Sequence, residues 1–275
     1  MFRVMQPADL PALTALWQEV FGDSAEFAKT ALGQFAGADN VFVAEEGGAA
    51  AGLLCAVPVS CRGHKGAYLY GVATQPEYRG RGLAAGLMEH AAGQLRARGA
   101  EFLTLVPAQK SLFDYYAARG FQKAFGLRRI TRPVRRNLWA QAEFDTVTAK
   151  KLCELRAKFC PDSVQLAPAQ MIVVLTDLYR QGITVVSGEG GYGLYFRKGE
   201  TLEFLELQAE GDRAAENLME AAREKEVIVE KAVITVGAAQ TLFSGEGLRE
   251  DYGMIRFLAE PFDVSETYMR LMLDS

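Results

Sequence analysis

The stretch Val72–Ala84, VATQPEYRGRGLA, decides how the rest of the chain is read. A β-prone run ends at Thr74, and Pro76, which cannot donate to a ladder, ends any strand there. Arg79-Gly80-Arg81-Gly82 then turns into a helix over Gly82–Arg98, with Leu83, Leu87, Ala91 and Leu95 on one stripe and Gly99 as its stop. A helix N-terminus offers unbonded N–H groups and a partial positive charge. Glycines let a ligand approach the backbone closely, and Arg79 and Arg81 add full charges. Together these make an anion cradle, most naturally for a phosphate or diphosphate.

Gly80, Gly82 and Gly86 also satisfy a loose GxGxxxG dinucleotide pattern. That reading requires the loop to follow its strand directly, and it requires an acidic residue at the end of the next strand. Gln75–Arg79 intervenes, and Glu101 stands at the start of the next strand, where Val106-Pro107 holds the end. The dinucleotide reading therefore fits this loop poorly, and a nicotinamide oxidoreductase stands as a third class behind a phosphate- or diphosphate-binding cradle.

Working outward, the first half predicts a strand at Phe2–Met5, a helix from Pro7 through Phe21 and a second from Ser24 to Phe35. Strands follow at Val41–Glu45 and Gly52–Val59, joined by a Gly47–Gly48 turn, then at Ala67–Thr74 and Phe102–Val106, with a helix over Ser111–Arg119. The arginines 128, 129, 132, 135 and 136 crowd around Pro133, which reads as a solvated basic linker and a domain boundary. The second half repeats the order. Helices at Ala149–Phe159 and Pro168–Gln181 precede strands at Ile183–Ser187, Gly193–Arg197 and Thr201–Gln208. A helix at Asp212–Glu224 and strands at Ala232–Val236 and Met254–Leu258 complete it. The division expected is 1–131, a linker over 132–144, and a second copy over 145–275. In Leu202–Leu207 the apolar alternation slips by one residue between Phe204 and Leu205, which predicts a bulge.

The 275 residues, 49% hydrophobic and 23% charged, describe an ordinary globular chain with room for two domains. Four cysteines without a CxxC pair and two histidines argue against a zinc site or a disulfide framework, so no metal is expected and a reducing cytoplasm is the expected location. The longest apolar stretch, Ala49–Val59, is too short for a membrane span. Residues 1–137 hold 16 basic against 11 acidic residues and residues 138–275 hold 14 against 23, so the halves carry +5 and −9. A basic first half suits an anionic ligand, and without basic tracts interleaved with aromatics no nucleic-acid partner is expected.

Arg79-Gly80-Arg81-Gly82-Leu83-Ala84 resembles the R/Q-x-x-G-x-G/A signature of the GCN5-related N-acetyltransferases, the GNAT superfamily. Gly71–Thr74 before it and Tyr116-Ala-Ala-Arg-Gly-Phe121 after it also match, over roughly residues 1–131. The two-copy layout is similar to tandem GNAT proteins, including the front part of enhanced intracellular survival-type acetyltransferases. The resemblance implies an α+β GNAT fold in each copy, a mixed, mostly antiparallel sheet with helices on both faces. It implies acetyl-CoA as co-substrate and a primary amine as acceptor, either a small molecule or a peptide.

Carried onto this chain, the resemblance gives Arg79, Gly80, Arg81, Gly82, Leu83 and Ala84 the diphosphate. It gives Val72, Ala73 and Thr74 main-chain pairing with the pantetheine arm, and Tyr116 the proton for the departing thiolate. Tyr115 and Tyr116 point about 100° apart on their helix, so one of them can face the thiol. The resemblance would also place a glutamate on the signature strand, but Ala67–Thr74 contains no carboxylate. Asp23, Glu26 and Asp114 remain as unranked candidates for the base. Ser111 is expected to cap its helix, His64 and His90 to be solvated or packed, and Cys55 and Cys61 to be buried. In the second copy Asp212 is expected to cap its helix and repel a diphosphate, leaving that copy non-catalytic. A non-enzymatic acetyl-CoA sensor or interaction module is the alternative to catalysis.

Overall fold

The computed structural model describes residues 1–273. Strand β1 (Phe2–Val4) leads through a tight turn at Pro7–Asp9 into α1 (Leu10–Phe21). Arg3 holds that entry, donating to both oxygens of Asp9 at 2.6 and 2.9 Å and to Glu45 at 2.8 Å. Helix α2 (Ala25–Thr30) starts at Ser24, whose Oγ accepts from Phe27 N at 3.1 Å, and continues as a wider π-type coil over Ala31–Gly37. Next come β2 (Val41–Glu46), β3 (Ala49–Cys61), β4 (His64–Thr74), α3 (Leu83–Ala97), β5 (Phe102–Leu105) and α4 (Leu112–Ala117). The later chain forms β6 (Gln122–Pro133), β7 (Glu143–Phe144), α5 (Ala149–Phe159), β8 (Gln165–Leu166), α6 (Pro168–Arg180), β9 (Thr184–Gly188), β10 (Gly191–Lys198), β11 (Thr201–Ala209), α7 (Asp212–Glu226), β12 (Lys231–Gly237) and β13 (Leu248–Phe257). Among the described residues no helix is long and apolar enough to cross a membrane.

Two compact units emerge. One comprises Met1–Gln122 and Met254–Phe262, the other Lys123–Gly253 and Asp263 onward. The sheet of the first runs β1-β2-β3-β4-β5-β13, antiparallel except for β4–β5. That of the second runs β7-β9-β10-β11-β12-β6, antiparallel except for β11–β12. The two mixed, mostly antiparallel sheets share one strand order, the α+β layout expected of two copies of one fold.

The last strand of each sheet comes from the far half of the sequence. β6 follows directly on the first unit, yet it pairs with β12 of the second from Pro133↔Lys231 to Leu127↔Gly237. The end of β13 pairs with β5, from Met254↔Leu105 to Phe257↔Phe102. The compact units therefore do not coincide with the linear division at 131 and 145, and Arg132 and Pro133 lie in a strand rather than in a linker. The solvated-linker reading of the five arginines is also corrected. Arg128 is buried and donates to four carbonyls, those of Gln240, Leu242, Phe243 and Glu246. Arg129 pairs with Glu203, and Arg132 with Glu216 and Glu246, leaving Arg135 and Arg136 exposed. Phe125, Leu127 and Ile130 supply the buried positions of β6.

In the first unit α3 covers one face of the sheet, where Phe42, Leu54, Leu69, Leu87, Leu103 and Met254 share a core. On the other face Trp17 of α1 and Phe35 close on Tyr70, with ring centroids 5.7 and 5.4 Å away.

Candidate active site

The site grows from a fault in one strand pair. Between β3 and β4 the register jumps from Leu54↔Val72 to Cys55↔Tyr70, which leaves Gly71 as an extra residue at φ 70°. A Cβ there would lie 2.6 Å from the Trp17 ring, so the bulge admits only glycine. The parallel register of β4 with β5 covers only Gly66↔Phe102 to Tyr68↔Thr104. Val72, Ala73 and Thr74 lie beyond it and pair with Leu54, Leu53 and Gly52 on their β3 side. Their other edge therefore presents main-chain N–H and C=O groups to no strand of the described residues, an opening that an extended amide-bearing chain can fill.

The cradle lies one short loop further on. Gly80 and Gly82 take the left-handed conformation at φ 77° and 79°, and Gly82 is the N-cap of α3. No heavy atom lies within 4 Å of the Cβ position of either glycine, so their backbone is open to approach. The first turn of α3 contains no acidic residue, and Gly86 N makes an early helical bond, to Gly82 O at 3.0 Å. Leu83, Ala84 and their neighbours thus offer the unbonded amides of a helix start. Arg79 Nε donates to Thr74 O at 3.1 Å, and Arg81 donates to Glu77 O at 3.0 Å with its guanidinium over the Tyr78 ring. Both arginines are exposed, and these contacts hold their charges beside the loop.

Tyr116 on α4 packs against the same core as Val72 and Tyr78 and meets Phe121 edge-on at 5.9 Å. Its carbonyl accepts from Arg119 N and Phe121 N, which fixes the turn through Gly120. Burial pushes its phenol above the ordinary value, Tyr115 adds to the shift, and Arg119 opposes it. Tyr116 therefore keeps its proton through the physiological range. Tyr115 is engaged differently, under the Arg119 guanidinium at 3.4 Å from the ring centre.

The carboxylates separate on geometry. Asp23 accepts from Trp17 Nε1 at 2.8 Å, and the same indole lies against the Gly71 bulge. Glu26 and Asp114 are exposed, in the first turns of α2 and α4. No signal in the sequence tied Asp23 to the bulge, because Trp17 reads as one more core residue of α1. Ser111 makes no capping bond, contrary to expectation. His64 stacks on Phe262 at 3.9 Å and pairs with Glu101, while His90 packs near Phe2 and Phe42. Cys55 and Cys61 are buried, and burial pushes the Cys55 thiol up.

The second unit repeats the fault. Leu194↔Glu206 passes to Tyr195↔Phe204, so Leu205 is the extra residue, at the slip expected from its sequence. Its parallel pairing with β12 also stops at the bulge, at Phe204↔Ile234. Helix α7, however, begins at Gly211 with φ 174°, an extended conformation, and has Asp212 as its first residue. Asp212 does not cap its own helix; Oδ1 accepts from Phe243 N at 2.7 Å.

Residues 1–124 match the model of the acetyltransferase (GNAT) domain family. Three solved structures share the fold. A conserved protein of Enterococcus faecalis V583 is 15% identical at a TM-score of 0.74, over 97% of this chain and 73% of its own. A GCN5-related N-acetyltransferase of Anabaena variabilis ATCC 29413 is 17% identical at 0.73, over 94% and 72%. Eis1 of Mycobacterium abscessus is 14% identical at 0.68, over 94% and 74%. No curated protein matches the chain.

Proposed function

Because residues 1–124 are an acetyltransferase domain of the GNAT type, we propose that the first unit transfers the acetyl group of acetyl-CoA directly to a primary amine in a ternary complex. The observation that carries this reading is the succession of an open backbone edge at Val72–Thr74 and, one short loop later, left-handed glycines at Gly80 and Gly82. A ligand with a diphosphate and an amide-bearing arm suits both at once.

In this reading the backbone of Arg79–Ala84 holds the diphosphate, and Arg79 and Arg81 supply charge. The edge of Val72–Thr74 fixes the arm, and a free N–H on it polarises the thioester carbonyl. The amine nitrogen forms the new C–N bond as the C–S bond breaks. Tyr116 gives its proton to the departing sulfur, and its raised affinity for that proton keeps the acid form available. The amine gives up a proton in turn, and Asp23 is the carboxylate best placed to take it, directly or through water, since Trp17 ties it to the bulge.

The sensor alternative lacks a comparable support: a half-buried, protonated tyrosine packed against the same core as Val72 is not needed to bind a thioester. Release of free thiol from acetyl-CoA on addition of an amine panel tests the proposal. Tyr116→Phe should lower kcat by ~10²–10⁴-fold with acetyl-CoA affinity retained. Rates should hold up to about pH 10, the ordinary tyrosine value, because the shift in Tyr116 is upward. Thiol release that no amine accelerates would leave the sensor reading.

A further inference from the structure

The chain leaves α1 through an aromatic end. Phe21 is the last residue of the helix, Gly22 turns the chain in the left-handed conformation at φ 77°, and Asp23 and the cap Ser24 lead into α2. Trp17 stands one turn before Phe21, with ring centroids 4.8 Å apart. Trp17 is 1% exposed and Phe21 is 41% exposed. Apart from the terminal Met1, Phe21 is the one exposed large apolar side chain among the described residues of the first unit. Half-buried Phe27 and Tyr70 complete the stack, at 6.4 and 5.7 Å from the indole.

The indole joins three features. Its Nε1 donates to Asp23 Oδ2 at 2.8 Å. Its far edge fills the space beside Gly71, at the bulge that begins the open edge of Val72–Thr74. Its ring carries Phe21 on the solvent side. Asp23 is itself half-buried, and among the described residues no basic side chain pairs with it. A carboxylate and an exposed aromatic face therefore stand one ring away from the strand fault.

That combination selects among amines. An ammonium gains a charge-assisted hydrogen bond from a carboxylate and a further attraction from ring faces. A body attached to it gains roughly 25 cal/mol for each Å² of apolar surface covered. One half-buried carboxylate matches one positive charge. The next acid along the chain, Glu26, is exposed on α2, so a polycation finds no second carboxylate at the same depth.

We infer that the acceptor is a monocationic arylalkylamine, its ammonium taken by Asp23 and its ring seated on Phe21 and Phe27. This assignment rests on the acetyl-transfer reading of the first unit and adds the substrate class to it. The ammonium gives one proton to Asp23, and its nitrogen forms the C–N bond as the C–S bond breaks. The sulfur leaves as thiol with the Tyr116 proton, and the second proton lost by the nitrogen restores Tyr116. The proton on Asp23 passes to solvent, so ammonium and thioester give amide, thiol and one proton.

The full Trp139→Phe chain, which keeps Trp17 as its one tryptophan, is titrated with coenzyme A present, by fluorescence and calorimetry. Phenethylamine should bind with saturation and shift the Trp17 emission. Its uncharged twin 2-phenylethanol and the polycation spermidine should each bind at least ~10-fold more weakly. Adding Phe21→Ser should raise the Kd of phenethylamine, and its KM in thiol release from acetyl-CoA, by at least ~5-fold. Acetyl-CoA affinity should not change in that variant, which checks its fold. Phenethylamine that binds but releases no thiol overturns acetyl transfer to it and leaves an amine site standing. Thiol release driven by spermidine, with phenethylamine neither bound nor turned over, overturns the acceptor assignment and leaves acetyl transfer standing. The assignment also falls if 2-phenylethanol binds as tightly as the amine, or if Phe21→Ser leaves both constants for phenethylamine unmoved.

Discussion

The two units put the same strand fault to different uses. In the first, Gly71 makes the bulge because the Trp17 ring fills the Cβ position; in the second, Leu205 makes it with a full side chain. Past the bulge, the first unit has glycines at φ 77° and 79° and a helix start without acid, while the second has an extended Gly211 followed by Asp212. A bulge is a matter of backbone register and survives a change of side chains. The diphosphate cradle proposed for the first unit depends on left-handed glycines and on the sign of a charge, and the second unit differs in both.

The largest test of this comparison divides the units by sequence. A fragment ending near Asn137 would leave β5 without β13, break the Arg256–Glu89 pair and remove the acceptor of the Thr104 hydroxyl, Met254 O. It is expected to be insoluble or unfolded, as judged by circular dichroism and sedimentation. A folded, active fragment would mean that the late strand is dispensable.

Next in size is Gly71→Ala, which places a Cβ against Trp17 at positive φ and should cost about 1–3 kcal/mol. Leu205→Ala removes a side chain without straining the backbone, so the urea midpoints should separate the two bulges by mechanism. Gly82→Val should weaken acetyl-CoA binding at least ~10-fold, about 1.4 kcal/mol. Gly211→Val, at an extended φ, should leave that binding untouched; calorimetry reads both. The smallest effect is expected of Asp212→Asn, which weakens a charged bond to Phe243 N, costs about 1 kcal/mol and creates no second acetyl-CoA site.

Most single elements were legible. Leu83, Leu87, Ala91 and Leu95 announced α3, and the slip at Leu205 announced a bulge that the register then showed. The exchange of last strands was not legible, because pairing partners about a hundred residues apart or more leave no periodic trace in either strand. β6 was further hidden by its arginines: Arg128 reads as a solvated charge, yet it is buried because four carbonyls satisfy it. In the proposed site, the glycines and Tyr116 follow from spacing and resemblance, and their assigned roles belong to the proposal. Asp23 could not be ranked, since its tie to the bulge runs through an indole whose neighbours only the fold supplies.

The exchanged strand also sets a clock for synthesis. β5 is complete when Leu105 has been made, but its antiparallel neighbour ends at Phe257, 152 residues later. At roughly 5–20 residues per second, that edge waits about 8–30 s on the ribosome. During this interval Phe102–Leu105, a run of mostly apolar residues, is an unpaired edge of the kind that joins other chains. That edge of the nascent sheet thus stays open until the segment ending at Phe257 has been made.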